Sequence, residues 1–243
     1  MSDKKTKRTD ISNKNPIADQ LDFATSEAYN VLRTNLSFTI PGKRMGKVVG
    51  LTSASPNDGK SYTCVNLCYA LAKDGHKTLL ISSDLRRPSV EKIMSMSVGV
   101  GLSNILAEGL EVNQDVLHAC VLHDNLSVIT AGSIPPNPSE LLGSEQMGEL
   151  IDSLKDSYEY IVLDLPPVTS VIDPIAVSKY LDGIVFVVRH GFSKKKNIVS
   201  AMNQLKYSGV RVLGFVYNCY KTKSGYFKFY NKYYKNNYYT SKR

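Results

Sequence analysis

No stretch of this chain approaches the roughly 18 consecutive apolar residues that a membrane-spanning helix needs. Its first residues, MSDKKTKRTD, are charged and lack the apolar segment of a secretory leader. The sequence therefore predicts a protein that neither spans a membrane nor is exported. Cysteine is scarce: Cys64, Cys68, Cys120 and Cys219 are the only four. Cys64 and Cys68 fit one helix face, but no nearby Cys or His pair completes a metal set, so buried free thiols are expected. The four histidines (His76, His118, His123 and His190) are scattered, and no Ser-His-Asp arrangement is apparent. Internal repeats and dividing linkers are also lacking. With 243 residues, 42% of them apolar, the chain can bury the core of one ordinary to large domain.

Acidic residues vanish from the C-terminus. Lys221 to Arg243 holds seven Lys or Arg and no Asp or Glu, a charge of +7 within a chain total of +8. Residues 1 to 14 add five basic and two acidic groups, or +3, which leaves the middle slightly acidic. A near-neutral core with basic ends argues against a nucleic-acid groove built into the fold and suits contact with acidic surfaces such as an anionic membrane leaflet. The tail also gathers six tyrosines, Tyr226, Tyr230, Tyr233, Tyr234, Tyr238 and Tyr239, interleaved with lysine and asparagine. It is either a basic aromatic surface for polyanions or a set of substrates.

Between these ends, helix and strand signals alternate. Ala28, Val31, Leu32 and Leu36 keep helical spacing over 26–38. "KVVGLTSA" reads as a buried strand, "SYTCVNLCYALAKDG" as a helix stopped at Gly75, and "KTLLISSD" as a second strand. A short helix over 102–107 precedes the strand "LSVITAG". Helical segments over 139–154 follow, with Ser139 as the expected cap. "YEYIVLDLPP", a helix near 174–179, "GIVFVVRHG", a helix over 194–207 and "RVLGFVYN" complete the series. The strands are apolar runs rather than alternating ones, as expected of parallel strands covered on both faces. The pattern predicts an α/β fold of repeated βαβ units: three layers, a mostly parallel sheet between two layers of helices.

The first strand meets its helix at "ASPNDGKS", 54–61. This matches the phosphate loop G-x-x-x-x-G-K-[ST], with Ala54 at the first glycine. Such a loop turns backbone N–H groups inward beside a helix N-terminus, which together cradle a triphosphate. Ser55, Pro56, Asn57, Asp58, Gly59, Lys60, Ser61 and Tyr62 are the expected nucleotide-binding residues. Gly59 admits the phosphate closely, Lys60 supplies charge to its β and γ oxygens, and the Ser61 hydroxyl goes to Mg²⁺. Asp164 in "IVLDLPP" and Asp84 in "LLISSDLRRPS" lie at strand ends on the same expected edge, placed to hold Mg²⁺ and its waters. ATP and Mg²⁺ are thus the expected ligands; the expected catalytic residues are Lys60, Asp84 and Asp164, and the metal set is Ser61, Asp84 and Asp164.

Together with "EAYNVLRTNL", "GSIPPNPSELL", "FVVRHG" and the tyrosine cluster, these segments resemble the bacterial tyrosine kinases of capsule and exopolysaccharide synthesis, which are P-loop NTPases. The resemblance spans about residue 26 to the C-terminus. Residues 1–20 are polar and basic, and disorder is expected of them. The resemblance implies a P-loop kinase domain (21–220) and a flexible tail (221–243) whose tyrosines are phosphorylated between subunits of a homo-oligomeric ring. It also implies a cytoplasmic protein recruited to the inner membrane face by a membrane-anchored polysaccharide co-polymerase that activates it, and a cognate tyrosine phosphatase. Glu27 and Arg33 would lie at the subunit interface, and Arg86 in the second Walker A segment.

Three positions depart from that family. Its D-x-D-x-R is here Ser82-Ser83-Asp84-Leu85-Arg86, so the first acid is a serine, which cannot accept a phenol proton near neutral pH. Asn30 replaces the middle arginine of E-x-x-R-x-x-R, and Ala54 replaces a glycine. Two other functions compete with kinase activity. Ser82 suits an ATP-holding pseudokinase that regulates polysaccharide export. A membrane-positioning P-loop ATPase would carry a signature lysine in the loop's second position, which is Ser55 here.

Overall fold

The computed structural model describes residues 17–42, 45–97, 99–112, 116–119 and 122–220. In chain order the elements are α1 (Phe23–Thr39), β1 (Lys47–Ser53), α2 (Lys60–Lys73), β2 (Thr78–Ser82), α3 (Val90–Met94), α4 (Leu102–Glu108), β3 (Leu117–Ala119) and β4 (Leu126–Ile129). There follow α5 (Pro138–Gly143), α6 (Glu145–Lys155), β5 (Tyr160–Asp164), α7 (Asp173–Val177), β6 (Gly183–Arg189), α8 (Lys195–Tyr207) and β7 (Val212–Asn218).

The strands stand in the order β3-β4-β2-β5-β1-β6-β7, parallel throughout except that β3 runs antiparallel to β4 at one edge. The apolar runs sort by side-chain alternation into two cores. Leu79, Ile81, Ile161 and Leu163 face one layer, with Leu142 of α5 and Ile151 of α6. Leu80, Val162, Val49 and Leu51 face the other, with Leu36 of α1 and Leu67 and Leu71 of α2. Each fully buried leucine in these layers stabilises the fold by roughly 1.5–3 kcal/mol. This is the expected three-layer αβα sandwich around a mostly parallel sheet. Among the described residues no helix is long and apolar enough to cross a membrane.

Local signals moved several boundaries. Helix α1 begins at Phe23 rather than 26, because the Asp22 carboxylate caps it by accepting the Thr25 N–H at 2.9 Å. Ser139 is not the cap of one long helix. It lies inside α5, and Ser144 caps α6 by accepting the Met147 N–H at 3.3 Å. Order also begins ahead of the boundary expected at residue 21: Ala18–Gln20 form a 3-10 turn, with Ala18 buried and its N–H donated to Asn66 Oδ1 at 2.9 Å. Cys64 and Cys68 are buried thiols as expected, whereas Cys219 is exposed; Cys120 lies outside the described residues. So do all six tail tyrosines.

Candidate active site

Parallel strands all end on one edge, and the phosphate loop, Asp84 and Asp164 meet there. The loop between β1 and α2 needs two residues with positive φ, Asn57 (+67°) and Gly59 (+91°). The left-handed backbone at Gly59 favours glycine, and an added Cβ would lie 2.0 Å from Asn218 Nδ2, so that amide would have to shift. The first N–H groups of α2 have no intrahelical acceptor and face an anion with the helix's positive end.

Tertiary contacts hold this loop open. Asp58 is fully buried: its Oδ2 accepts the Ser55 N–H at 3.0 Å and its Oδ1 the Ser193 hydroxyl at 2.7 Å. Its side chain therefore shapes the loop from behind. Arg189 donates to Asn57 O (2.9 Å), Asn197 to Ser55 Oγ (3.0 Å) and Asn218 to Asp58 O (3.0 Å). Arg189, Ser193, Asn197 and Asn218 were missed from sequence. The local signals were the end of the last strand, "FVYN", on the ligand edge, and "FVVRHG", which holds Arg189; Asn197 follows a lysine block that reads only as a helix start.

Lys60 sits at the centre. Its ammonium lies 2.9 Å from Asp84 Oδ2, 3.7 Å from Asp164 Oδ1 and 3.4 Å from Ser61 Oγ. Burial works to lower the Lys60 pKa, but the charges of Asp164 and Asp84 prevail and hold it above the ordinary value. Burial raises the carboxyl of Asp164, against the opposing pull of Lys60. Asp84 Oδ1 accepts the Arg87 N–H at 3.0 Å, and Ser89 donates to Ser61 Oγ at 2.7 Å.

These residues fit a divalent cation. Two carboxylates and the Ser61 hydroxyl converge, and Asp164 Oδ2 is buried with no protein donor. Among the described residues no group of three or more His, Cys, Asp or Glu is arranged to hold a metal ion by itself, so phosphate oxygens and water would supply the remaining ligands of a hard cation. Ser82 pairs in register with Asp164 across β2 and β5, and its buried hydroxyl is also without a partner.

In front of the loop lies a cleft of about 1000 Å³, lined by Lys60, Ser61, Tyr62, Asp84, Arg189 and Asn218 and, on the far wall, by Tyr29 of α1. Pro56, Asn57 and Gly59 also border it. Ser55 and Asp58 instead turn their side chains into the supporting contacts above. The two expected interface residues lie away from the loop. Glu27 accepts the Asn30 amide at 2.9 Å on the exposed face of α1, and Arg33 pairs with Asp74 at 2.9 Å at the far end of α2.

A family model described as an AAA domain matches residues 47–206. Among curated proteins the chain is 37% identical over 193 residues to the tyrosine-protein kinase YwqD of Bacillus subtilis, covering 79% of this chain and 80% of that one. It is 33% identical to the tyrosine-protein kinase CpsD of Streptococcus pneumoniae, with coverage of 79% and 83%. Among solved structures, the kinase domain of the Escherichia coli tyrosine kinase ETK superposes with a TM-score of 0.73 at 31% identity, covering 83% of this chain and 79% of that one. MinD from Pyrococcus horikoshii, solved with Mg-ADP, shares the fold alone, at 21% identity and a TM-score of 0.60 over 73% of this chain and 72% of that one. The order of the strands, the braced phosphate loop with its two carboxylates, and these relatives agree: the chain belongs to the bacterial tyrosine kinase family of P-loop proteins.

Proposed function

We propose that this protein binds ATP with Mg²⁺ at the loop 54–61 and transfers the γ-phosphoryl group to tyrosine hydroxyls, those of Tyr226 to Tyr239 first. The observation that carries the reading is the meeting of Lys60, Asp84 and Asp164 beneath the loop, with β7 ending at that same loop through Asn218. Lys60 would leave its carboxylate partners for the phosphate oxygens, and the first turn of α2 would bind the phosphates from behind. Ser61, Asp84 and Asp164 would hold Mg²⁺, which screens the charge on the phosphates when bound. The acceptor's O–H proton passes to solvent water as its oxygen bonds the γ-phosphorus and the bond from that phosphorus to the departing ADP oxygen breaks.

Ser82 cannot take that proton. If the acid usual at this position serves as base, its loss costs about 10²–10⁴-fold. Phosphoryl transfer depends mainly on positioning and charge, so activity is slowed rather than abolished.

The tail begins beside the site. On the expectation of a flexible tail, about 20 residues give an r.m.s. reach of about 25 Å, enough for its own site or a neighbour's in a homo-oligomeric ring. Each phosphate adds up to about −2, so a few suffice to reverse a +7 tail and drive it from an acidic site or from the adjoining subunit. A membrane-anchored co-polymerase of the polysaccharide machinery would recruit and activate the protein, helped by the basic ends at an anionic leaflet. A tyrosine phosphatase would reset it.

Mass spectrometry of protein incubated with ATP and Mg²⁺ tests the reading. Phosphate on Tyr226 to Tyr239, absent in Lys60→Met, is expected. Unmodified tyrosines under all conditions would refute it.

A further inference from the structure

Three segments far apart in sequence close around one guanidinium. Arg86, two residues after Asp84, donates from Nε to Asp173 Oδ2 at 2.9 Å and from Nη2 to Asp173 Oδ1 at 3.0 Å. Nη2 also donates to Ser139 Oγ at 3.1 Å, and the Ser139 hydroxyl donates to Asp173 Oδ1 at 2.5 Å. Asp173 is fully buried at the first turn of α7, and Ser139 lies in the first turn of α5. The two helices pack closely: a Cβ on Gly143 of α5 would sit 3.4 Å from Ala176 Cβ of α7.

The planar fork of the guanidinium meets the Asp173 carboxylate bidentately, and among the described residues Asp173 forms its ion pair with Arg86 alone. A bidentate pair on a fully buried carboxylate fixes the segment that carries it, even with the arginine side chain itself 40% exposed. That segment is short. It is anchored at its start by the Ser83 N–H on Asp164 O (3.0 Å) and at its turn by the Arg87 N–H on Asp84 Oδ1 (3.0 Å). Arg86 is the outward strap between those anchors, so the orientation of the Asp84 carboxylate depends on where Asp173 and Ser139 hold it.

We propose that Asp173 and Ser139 are positioning residues for Asp84: acting through Arg86, they set the carboxylate in the geometry that receives Mg²⁺. This rests on the active-site reading above and deepens it. The segments "GSIPPNPSELL" and "VIDPIA" thereby gain a role in metal affinity.

The test is calorimetric titration of the full chain with ADP, with and without Mg²⁺. In the wild type Mg²⁺ strengthens ADP binding; were it not to, the active-site reading itself would fail, apart from this proposal. In Asp173→Asn the strengthening by Mg²⁺ falls up to about tenfold, the lower end of the loss that follows removal of a direct partner of a metal ligand, because Asp173 acts one step further out through Arg86, while affinity without Mg²⁺ is unchanged. Ser139→Ala, which keeps the ion pair and so protects the fold, shows a smaller loss of the same kind. In an Asp84→Asn background, Asp173→Asn has no further effect. The proposal is overturned if both variants keep the full Mg²⁺ gain, if affinity falls equally without Mg²⁺, or if the loss persists when Asp84 is already replaced.

Discussion

Replacing Lys60 by methionine, the natural control for catalysis, should also unsettle the fold. The ammonium is enclosed with Asp84 and Asp164, their side chains 10%, 5% and 0% exposed. Methionine fills the space and removes the charge, leaving two carboxylates facing each other with little water. Breaking a buried pair in this way costs about 3–5 kcal/mol. For a chain of this size each kcal/mol is worth roughly 2–4 °C, so the melting temperature should fall by about 6–20 °C at neutral pH.

The deficit has a pH signature. Asp164 already has a pKa above the ordinary carboxylate value because it is buried, and loss of Lys60 raises it further. A carboxyl raised in the folded state takes up its proton there before it does in the unfolded chain. Acid therefore favours the folded variant, and that help disappears as pH rises through the raised pKa. The gap between wild type and variant should be widest at neutral pH and narrow toward pH 5. Melts followed by circular dichroism without nucleotide measure this directly. Equal melting temperatures at neutral pH, or a gap that ignores pH, would show that the lysine and the carboxylates are not coupled as described.

Other substitutions separate the remaining roles. Ser82→Asp should raise autophosphorylation by about 10²-fold if the missing base limits the rate, measured as phosphotyrosine formed per minute; no gain with nucleotide binding intact would clear Ser82 of that role. Gly59→Ala forces a side chain into φ +91°, at about 1–2 kcal/mol, and into Asn218. It should weaken ADP about tenfold or more, with only partial recovery in Gly59→Ala/Asn218→Ala, whereas full recovery would mean that the backbone angle is immaterial. Arg33→Ala removes a partly exposed pair worth about 0.2–1 kcal/mol, so stability should scarcely change. Sedimentation should show the proposed ring weakened, and an unaltered mass distribution would exclude Arg33 from its interface.

Most of the fold could be read because its strands are buried on both faces. "LLIS" and "IVLD" are continuous apolar runs for that reason, and an acidic residue ending or just following such a run points to the ligand edge. The turn at Gly59 and the helix start at Lys60 and Ser61 were legible because the geometry of a loop and a helix start is local. What escaped was non-local. Asp58 and Ser193 are 135 residues apart, and nothing near either one announces the other. Ser139 had the composition of a helix cap, yet its hydroxyl serves Arg86 and Asp173, while Ser144 took the cap. The edge strand β3 is only three residues long, too short for its alternation to register.

The central claim is transfer of the terminal phosphoryl group of ATP from the loop at Lys60 to tyrosine. Parallel incubations with ATP labelled at the γ or the α phosphorus test it most directly. Label from the γ position alone should become acid-stable and recoverable as phosphotyrosine, and none should appear with Lys60→Met protein shown by its melt to be folded. Label carried over from the α position, or γ label lost wholly to free phosphate, would contradict the account.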